Sequence, residues 1–170
     1  MAENICNMYN LNSDIQCINV RLSNSYGSPF FKENNCWWLA VNDICRMAFI
    51  EKRIVLKSNG SALRDFIHYE DVFNAIKSIL SKASYNENTF NLSSGKTTSI
   101  LQLAEKVKYV FLNRYGESLP IILPDNCKVE KEQTKTFTIT NKKLISSGFK
   151  QDFNLEKGIN ELFNYLESIK

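Results

Sequence analysis

The chain has 170 residues, a formal net charge of +3 and a pI near 8.5. The length allows one sizeable core, and the scattered lysines form no basic stripe of the kind that nucleic acid requires. Five cysteines, an odd number without C-x-x-C spacing, argue against a zinc site or a disulfide framework and indicate reduced thiols in the cytoplasm; no apolar run suggests secretion or a membrane span.

The N-terminal third predicts a helix end, a strand and a second helix. Ala2 to Tyr9 is typical of the last turns of a helix, and the apolar run Ile15 to Leu22 predicts a buried parallel strand that leads into a polar loop. Apolar residues then recur at helical spacing from Trp37 to Phe49. We expect this aromatic stripe to pack in the core rather than to contact a cofactor.

The stretch Gly60 to Asp71 predicts a turn, a short strand at Phe66 to His68 and the start of a helix that continues to Lys82. We expect this strand to lie beside Ile15 to Leu22 as an adjacent parallel strand, with Asn24 and Arg64 at their ligand-facing ends. Charge at a strand end is typical of ligand sites in α/β proteins. Arg64 carries a planar fork of donors that suits a phosphate or a carboxylate. The alternative is that Arg64 forms a surface ion pair with Asp65 or Glu70.

The C-terminal half predicts further short strands and helices. Short strands are expected at Ile54 to Leu56, Thr89 to Leu92, Ile121 to Leu123 and Thr136 to Ile139, the last two as a pair in a small outlying layer. Ser99 with Gln102 forms a capping box, and Asn141 and Asn154 open the last two helices. The lysine-rich segment 126–135 separates the last two strands.

Four pieces of this sequence occur in a characteristic order: Arg21-Leu-Ser-Asn-Ser-Tyr-Gly27, Arg64-Asp-Phe-Ile-His68, Asn91-Leu-Ser-Ser-Gly95 and Leu155-Glu-Lys-Gly158. Together they resemble the C-terminal part of the extended short-chain dehydrogenases, the NAD-dependent sugar-nucleotide epimerases and dehydratases. The resemblance implies an α/β fold, with an incomplete Rossmann-like parallel sheet formed by residues 1–29 and 61–82. Residues 30–60 and 83–170 would form mainly a small α/β substrate-binding subdomain.

The resemblance also implies roles for particular residues. Asn24 and Arg64 would contact the nucleotide sugar, and Leu22 and Ser23 would approach the nicotinamide end of the cofactor. The segment that carries a second phosphate-binding arginine in the family, residues 126–135, has no arginine here. Lys128, Lys131 or Lys135 could take its place, and Lys131 is the candidate. His68 is expected to be structural rather than a general base, and no metal is expected.

The family's catalytic parts are not found in this sequence. It contains no glycine-rich dinucleotide fingerprint and no tyrosine and lysine four residues apart, and the family's spacing puts that pair upstream of Met1. We therefore expect the nucleotide-sugar-binding portion of an NAD- or NADP-dependent epimerase, dehydratase or reductase, binding no cofactor and inactive alone. Its partner would be an N-terminal half or a second copy. The alternatives are a non-catalytic module that binds a nucleotide sugar or a protein, and an inert truncated product.

Overall fold

The computed structural model describes residues 1–81, 88–125 and 137–170. Over these ranges the chain is a mixed α/β structure in which helices cover short, mostly parallel sheets. The helices are α1 (Ala2–Asn12), α2 (Ala40–Glu51), α3 (Tyr69–Leu80), α4 (Ile100–Tyr115), α5 (Lys142–Ser146) and α6 (Leu155–Ser168). The strands are β1 (Asn19–Leu22), β2 (Asn24–Tyr26), β3 (Ile54–Val55), β4 (Leu63–His68), β5 (Thr89–Leu92), β6 (Thr97–Ser99) and β7 (Ile121–Ile122).

The chain changes its strand partner at Ser23, which lies between β1 and β2. β1 pairs in parallel with β5, and β2 pairs in parallel with β4. The prediction that Ile15 to Leu22 lies beside Phe66 to His68 is therefore wrong: the strand begins at Asn19, and only the three residues from Asn24 onward reach β4. The Ser23 amide still donates to Leu92 O at 3.0 Å, so the chain leaves β5 only after this residue.

Two further pairings differ from the prediction. β6 was not predicted, and it pairs antiparallel with the first half of β4. β7 pairs in parallel with β3 rather than with residues 137–139, which form no strand. Those residues instead run beside β5 and β6, where Ser93 Oγ donates to Ile139 O at 2.9 Å. Position 136 lies outside the described residues.

The interior contains two apolar clusters on either side of this partner change. The larger joins α2, α4 and α6 to β4, and includes Phe111 and Phe163. The smaller lies under β5 and joins α3 to α5 through Phe90 and Leu92. Burial of such side chains contributes about 1.5–3 kcal/mol each to folding.

The predicted aromatic stripe at Trp37 to Phe49 is only partly helical. α2 begins at Ala40, so both tryptophans precede it. Trp37 packs against Tyr165, with ring centroids 6.2 Å apart, whereas Trp38 is 76% exposed and is not a core residue. The core face of α2 consists of Val41, Ile44, Cys45 and Ala48.

The helix starts that the sequence indicated are present. Ser99 and Gln102 form both hydrogen bonds of the capping box of α4, and Asn154 accepts from Lys157 N at 2.8 Å at the start of α6. Asn141 precedes α5, but its side chain donates to Ser93 O instead of capping the helix. Among the described residues no helix is long and apolar enough to cross a membrane.

Candidate nucleotide-sugar site

Asn24 and Arg64 lie on the same face of the sheet formed by β2, β4 and β6. Asn24 is the register partner of Phe66, and Arg64 precedes Phe66 by two residues. Side chains two apart on a strand share a face, so Asn24, Phe66 and Arg64 all point to one side. Both predicted substrate-binding residues are exposed there.

Most donors of the Arg64 guanidinium have no acceptor among the described residues. Its Nη1 donates to Leu63 O at 2.7 Å. Within the described ranges Arg64 forms no ion pair, so the surface pairing with Asp65 or Glu70 does not occur there. A guanidinium has five N–H donors in a planar fork, which leaves it able to bind an anion in a bidentate manner.

Asp65 is the residue that holds this part of the molecule together, and the sequence reasoning did not find it. Its carboxylate is 1% exposed and accepts four hydrogen bonds. The donors are Ser23 Oγ at 2.8 Å, Ser94 N at 2.8 Å, Ser94 Oγ at 3.1 Å and Lys96 N at 3.1 Å. The Asp65 carbonyl also accepts from Asn24 Nδ2 at 3.1 Å. One acidic residue therefore fixes the loop after β1 against the turn after β5.

The remaining predicted site residues have different surroundings. The Ser23 hydroxyl donates to Asp65, and the half-exposed Leu22 ends β1. The structure thus brings Leu22, Ser23, Asn24 and Arg64 to neighbouring positions at the end of β1 and the start of β4. Lys131 lies outside the described residues.

A cleft of about 470 Å³ opens on the same face as Asn24 and Arg64. Its wall includes Phe66, which is paired with Asn24, and Thr98, which is paired with Arg64. Two lysines also line it. Lys106 donates to Glu156 at 2.8 Å, whereas Lys96 is exposed. Phe66 and Thr98, the strand partners of Asn24 and Arg64, line the cleft. Asn24 and Arg64 themselves lie beside it and are not part of its wall.

His68 lies at the far end of β4 and is buried, with both ring nitrogens occupied. Nδ1 accepts from Glu70 N at 3.3 Å, which leaves the hydrogen on Nε2, 3.4 Å from Glu161 Oε2. The ring stacks on Phe153 with centroids 3.9 Å apart. These contacts hold His68 between β4, α6 and Phe153, and its structural role stays a prediction.

The Glu161 carboxyl, which contacts His68 and Ser28, is ionised. Its partial burial would raise the pKa of the carboxyl, but hydrogen bonds from His68 and Ser28 hold that pKa below its usual value. The neighbouring Tyr26 hydroxyl is buried, and burial raises its pKa far above neutral, so that it stays protonated. Within the described ranges no group of three metal-ligating side chains occurs.

Comparison with known proteins shows the family of this chain. Residues 1–93 match the NAD dependent epimerase/dehydratase family. The dTDP-L-rhamnose 4-epimerase of Burkholderia thailandensis is 29% identical over 147 residues, which cover 86% of this chain and 39% of that protein. The chain thus spans about two fifths of this relative.

Solved structures show the same fold. The UDP-N-acetylglucosamine 4-epimerase of Bacillus cereus superposes with a TM-score of 0.73 at 23% identity, over 97% of this chain and 53% of that one. The UDP-glucuronic acid 4-epimerase of Bacillus cereus, solved with UDP-glucuronic acid and NAD, gives a TM-score of 0.68 at 17% identity, over 99% and 50% of the two chains. With more than half of its length matched to the family and this Rossmann-like fold, the chain belongs to the NAD-dependent epimerase/dehydratase family.

Proposed function

We propose that this chain is the nucleotide-sugar-binding half of a cytoplasmic NAD- or NADP-dependent epimerase, dehydratase or reductase. The observation that carries the proposal is the exposed Arg64 guanidinium on the same face as Asn24, with no ion pair to any described residue. An arginine left open beside a cleft can bind an anion without first breaking a salt bridge.

Arg64 and Asn24 would hold different parts of the ligand. A nucleoside diphosphate sugar carries two negative charges on its pyrophosphate, which the Arg64 fork would bind. The amide nitrogen of Asn24 is engaged with Asp65 O, so its oxygen is the atom that would accept from a ligand hydroxyl. Lys131 would add a second, single-point cation for the phosphates.

The cofactor would need groups from elsewhere. NAD(P) supplies hydride transfer when it is bound, and Leu22 and Ser23 of this chain would border its nicotinamide end. The Ser23 hydroxyl already donates to Asp65, so it would act through loop position rather than as a free donor. The sequence has neither a G-x-G-x-x-G fingerprint nor a Tyr-x-x-x-Lys pair. The isolated chain should therefore bind the nucleotide sugar without converting it.

A second, N-terminal half would supply those groups, and the surface around β1 suits it. α1 has no buried residue, and its apolar side chains Ile5, Met8 and Leu11 are all at least half exposed. Val20 and Leu22 of β1 are also exposed, and in the described structure β1 has a strand on one edge alone. An apolar strand edge of this kind favours the addition of further strands.

Isothermal titration of the purified chain with UDP-glucuronic acid, UDP-glucose and dTDP-L-rhamnose would test the proposal. We expect binding of at least one of them, weakened about 10- to 100-fold by Arg64→Ala, because a hydrogen bond to a charged group contributes about 1.5–3 kcal/mol. Arg53→Ala is the matched control, since Arg53 is an exposed arginine that pairs with Glu51. No binding, or equal weakening by both variants, would contradict the proposal. Turnover by the isolated chain with added NAD or NADP would contradict its inactivity.

A further inference from the structure

α1 contacts the rest of the chain through a polar face that contains a cysteine. Its half-buried residues include Glu3, Cys6 and Asn10, spaced three and four apart, which puts them on one side of the helix. Glu3 binds the Arg21 guanidinium through two hydrogen bonds of 2.7 Å. Cys6 lies between this ion pair and Asn10.

Asn10 fixes a second cysteine against the same face. Its Oδ1 accepts from Cys17 N at 2.6 Å, and its Nδ2 donates to Cys17 O at 3.0 Å. Asn10 is one helical turn beyond Cys6, so this two-point contact holds the Cys17 backbone next to the Cys6 side chain. Both thiols are half-buried, and partial burial together with the adjacent Cys6 thiol raises the pKa of Cys17. The two sulfur groups are therefore neighbours.

The other described cysteines have different surroundings. Cys36 is half-buried, and its Sγ accepts from Asn42 at 3.2 Å. Cys45 is fully buried in the large apolar cluster on α2. Among the described cysteines, Cys6 on α1 and Cys17 in the segment before β1 are thus the pair whose side chains interact through a hydrogen bond.

We propose that Cys6 and Cys17 form a disulfide by exchange with a low-molecular-weight disulfide such as glutathione disulfide, and that this bond fastens α1 to the segment leading into β1. The Cys6 thiolate attacks one sulfur of glutathione disulfide, which forms a mixed disulfide and releases one glutathione thiolate. The Cys17 thiolate then attacks the Cys6 sulfur and releases the second glutathione. Two protein thiols are oxidised, and one glutathione disulfide is reduced to two glutathione thiols.

We assign the first attack to Cys6, because the attacking species is a thiolate and the raised pKa of Cys17 disfavours the thiolate of that residue. The bond would matter for α1 because no residue of this helix is buried. Hydrogen bonds between Glu3 and Arg21 and between Asn10 and Cys17 hold this helix without burying any of its residues, so the reduced helix should open locally more often than the rest of the chain. The proposal concerns α1 alone and stands or falls separately from nucleotide-sugar binding.

The test is equilibration of the reduced, full chain with a series of glutathione disulfide to glutathione ratios, followed by alkylation and mass spectrometry. Trypsin leaves both cysteines in one peptide that ends at Arg21, so cleavage before Asp14 is also needed to show the cross-link. We expect a Cys6–Cys17-linked pair of peptides, with amide exchange in α1 slowed at least tenfold in the oxidised chain.

Single variants distinguish this pair from general thiol reactivity. Cys6→Ser and Cys17→Ser should each prevent the internal disulfide, and Cys6→Ser should also slow the first exchange step. Cys36→Ser, which removes another half-buried thiol, should leave the cross-link unchanged. Separate glutathione adducts on Cys6 and Cys17 in the parent chain, or a cross-link from either residue to another cysteine, would overturn the proposal.

Discussion

Replacement of Asp65 by asparagine is the sharpest test of how the site is held together. The carboxylate accepts four hydrogen bonds while 1% exposed. An asparagine can keep the two bonds from Ser23 Oγ and Ser94 N with its single oxygen. Its amide group would then face the Ser94 hydroxyl, which can rotate to accept, and the Lys96 N–H, which cannot.

The cost can be worked out from these contacts. The Lys96 amide keeps Ser94 Oγ as an acceptor at 3.2 Å, but it loses its hydrogen bond to the charged carboxylate, which is worth about 1.5–3 kcal/mol. The other bonds lose the strengthening that a charged acceptor provides. The lower cost of burying a neutral group offsets part of this loss. We therefore expect Asp65→Asn to lower the free energy of unfolding by about 2–4 kcal/mol, a large part of the stability of a domain of this size.

Urea unfolding followed by circular dichroism measures this change, provided that the slope with urea stays constant. Asp14→Asn is the matched control because Asp14 is an exposed aspartate, and it should alter the free energy of unfolding by less than about 0.5 kcal/mol. Equal values for Asp65→Asn and Asp14→Asn would refute the reasoning. A double-mutant cycle with Ser23→Ala should also give a coupling energy of about 0.5–3 kcal/mol, since the two side chains share a hydrogen bond.

Three further predictions concern other parts of the chain. The lowered pKa of Glu161 stabilises the fold above the unfolded pKa of about 4.3, and this contribution is lost as the pH falls through the folded pKa. Glu161→Gln should thus be less stable at pH 6, and its free energy of unfolding, measured with urea, should fall less steeply as the pH is lowered. An unchanged dependence of this free energy on pH would contradict the prediction. Gly158→Ala adds a Cβ 2.6 Å from a Tyr26 ring carbon, so we expect a loss of about 1–3 kcal/mol in thermal unfolding, where helix propensity alone predicts a gain. Val20→Lys should reduce concentration-dependent self-association in light scattering, because it places a charge on the exposed β1 strand; a monomeric parent at all concentrations would argue against an adhesive edge.

Local signals in the sequence predicted much of the fold. The strand Thr89–Leu92 and the capping residues Ser99 and Asn154 were found because each depends on residues within four positions of one another. Asn24 and Arg64, which the family motifs selected, lie on one face of the sheet, and their role in binding stays a prediction.

The parts that were missed depend on contacts between distant residues. Asp65 receives its hydrogen bonds from positions 42 residues before it and 29 and 31 residues after it, and nothing in its local sequence distinguishes it from a surface aspartate. The pairing of β3 with β7 similarly joins Ile54 to Ile121. Two-residue strands give too short an alternation to indicate a partner. The one hint in the sequence was that serines, Ser23 and Ser94, occur in the two loops that contact Asp65.

The partner change at Ser23 links the sheet face that carries Asn24 and Arg64 to the smaller apolar cluster under β5. β1 and β2 are a single run of chain, so β2 cannot slide without moving β1 or rotating the backbone of Ser23. Ser23 is tied on both sides, through its amide to Leu92 O and through its hydroxyl to Asp65. The position of Asn24 is therefore set partly by how the β5 side chains Phe90 and Leu92 pack in the smaller apolar cluster. A change in the volume of these apolar residues would be expected to move Asn24, and with it the affinity for the proposed nucleotide sugar, without any change at the proposed site itself.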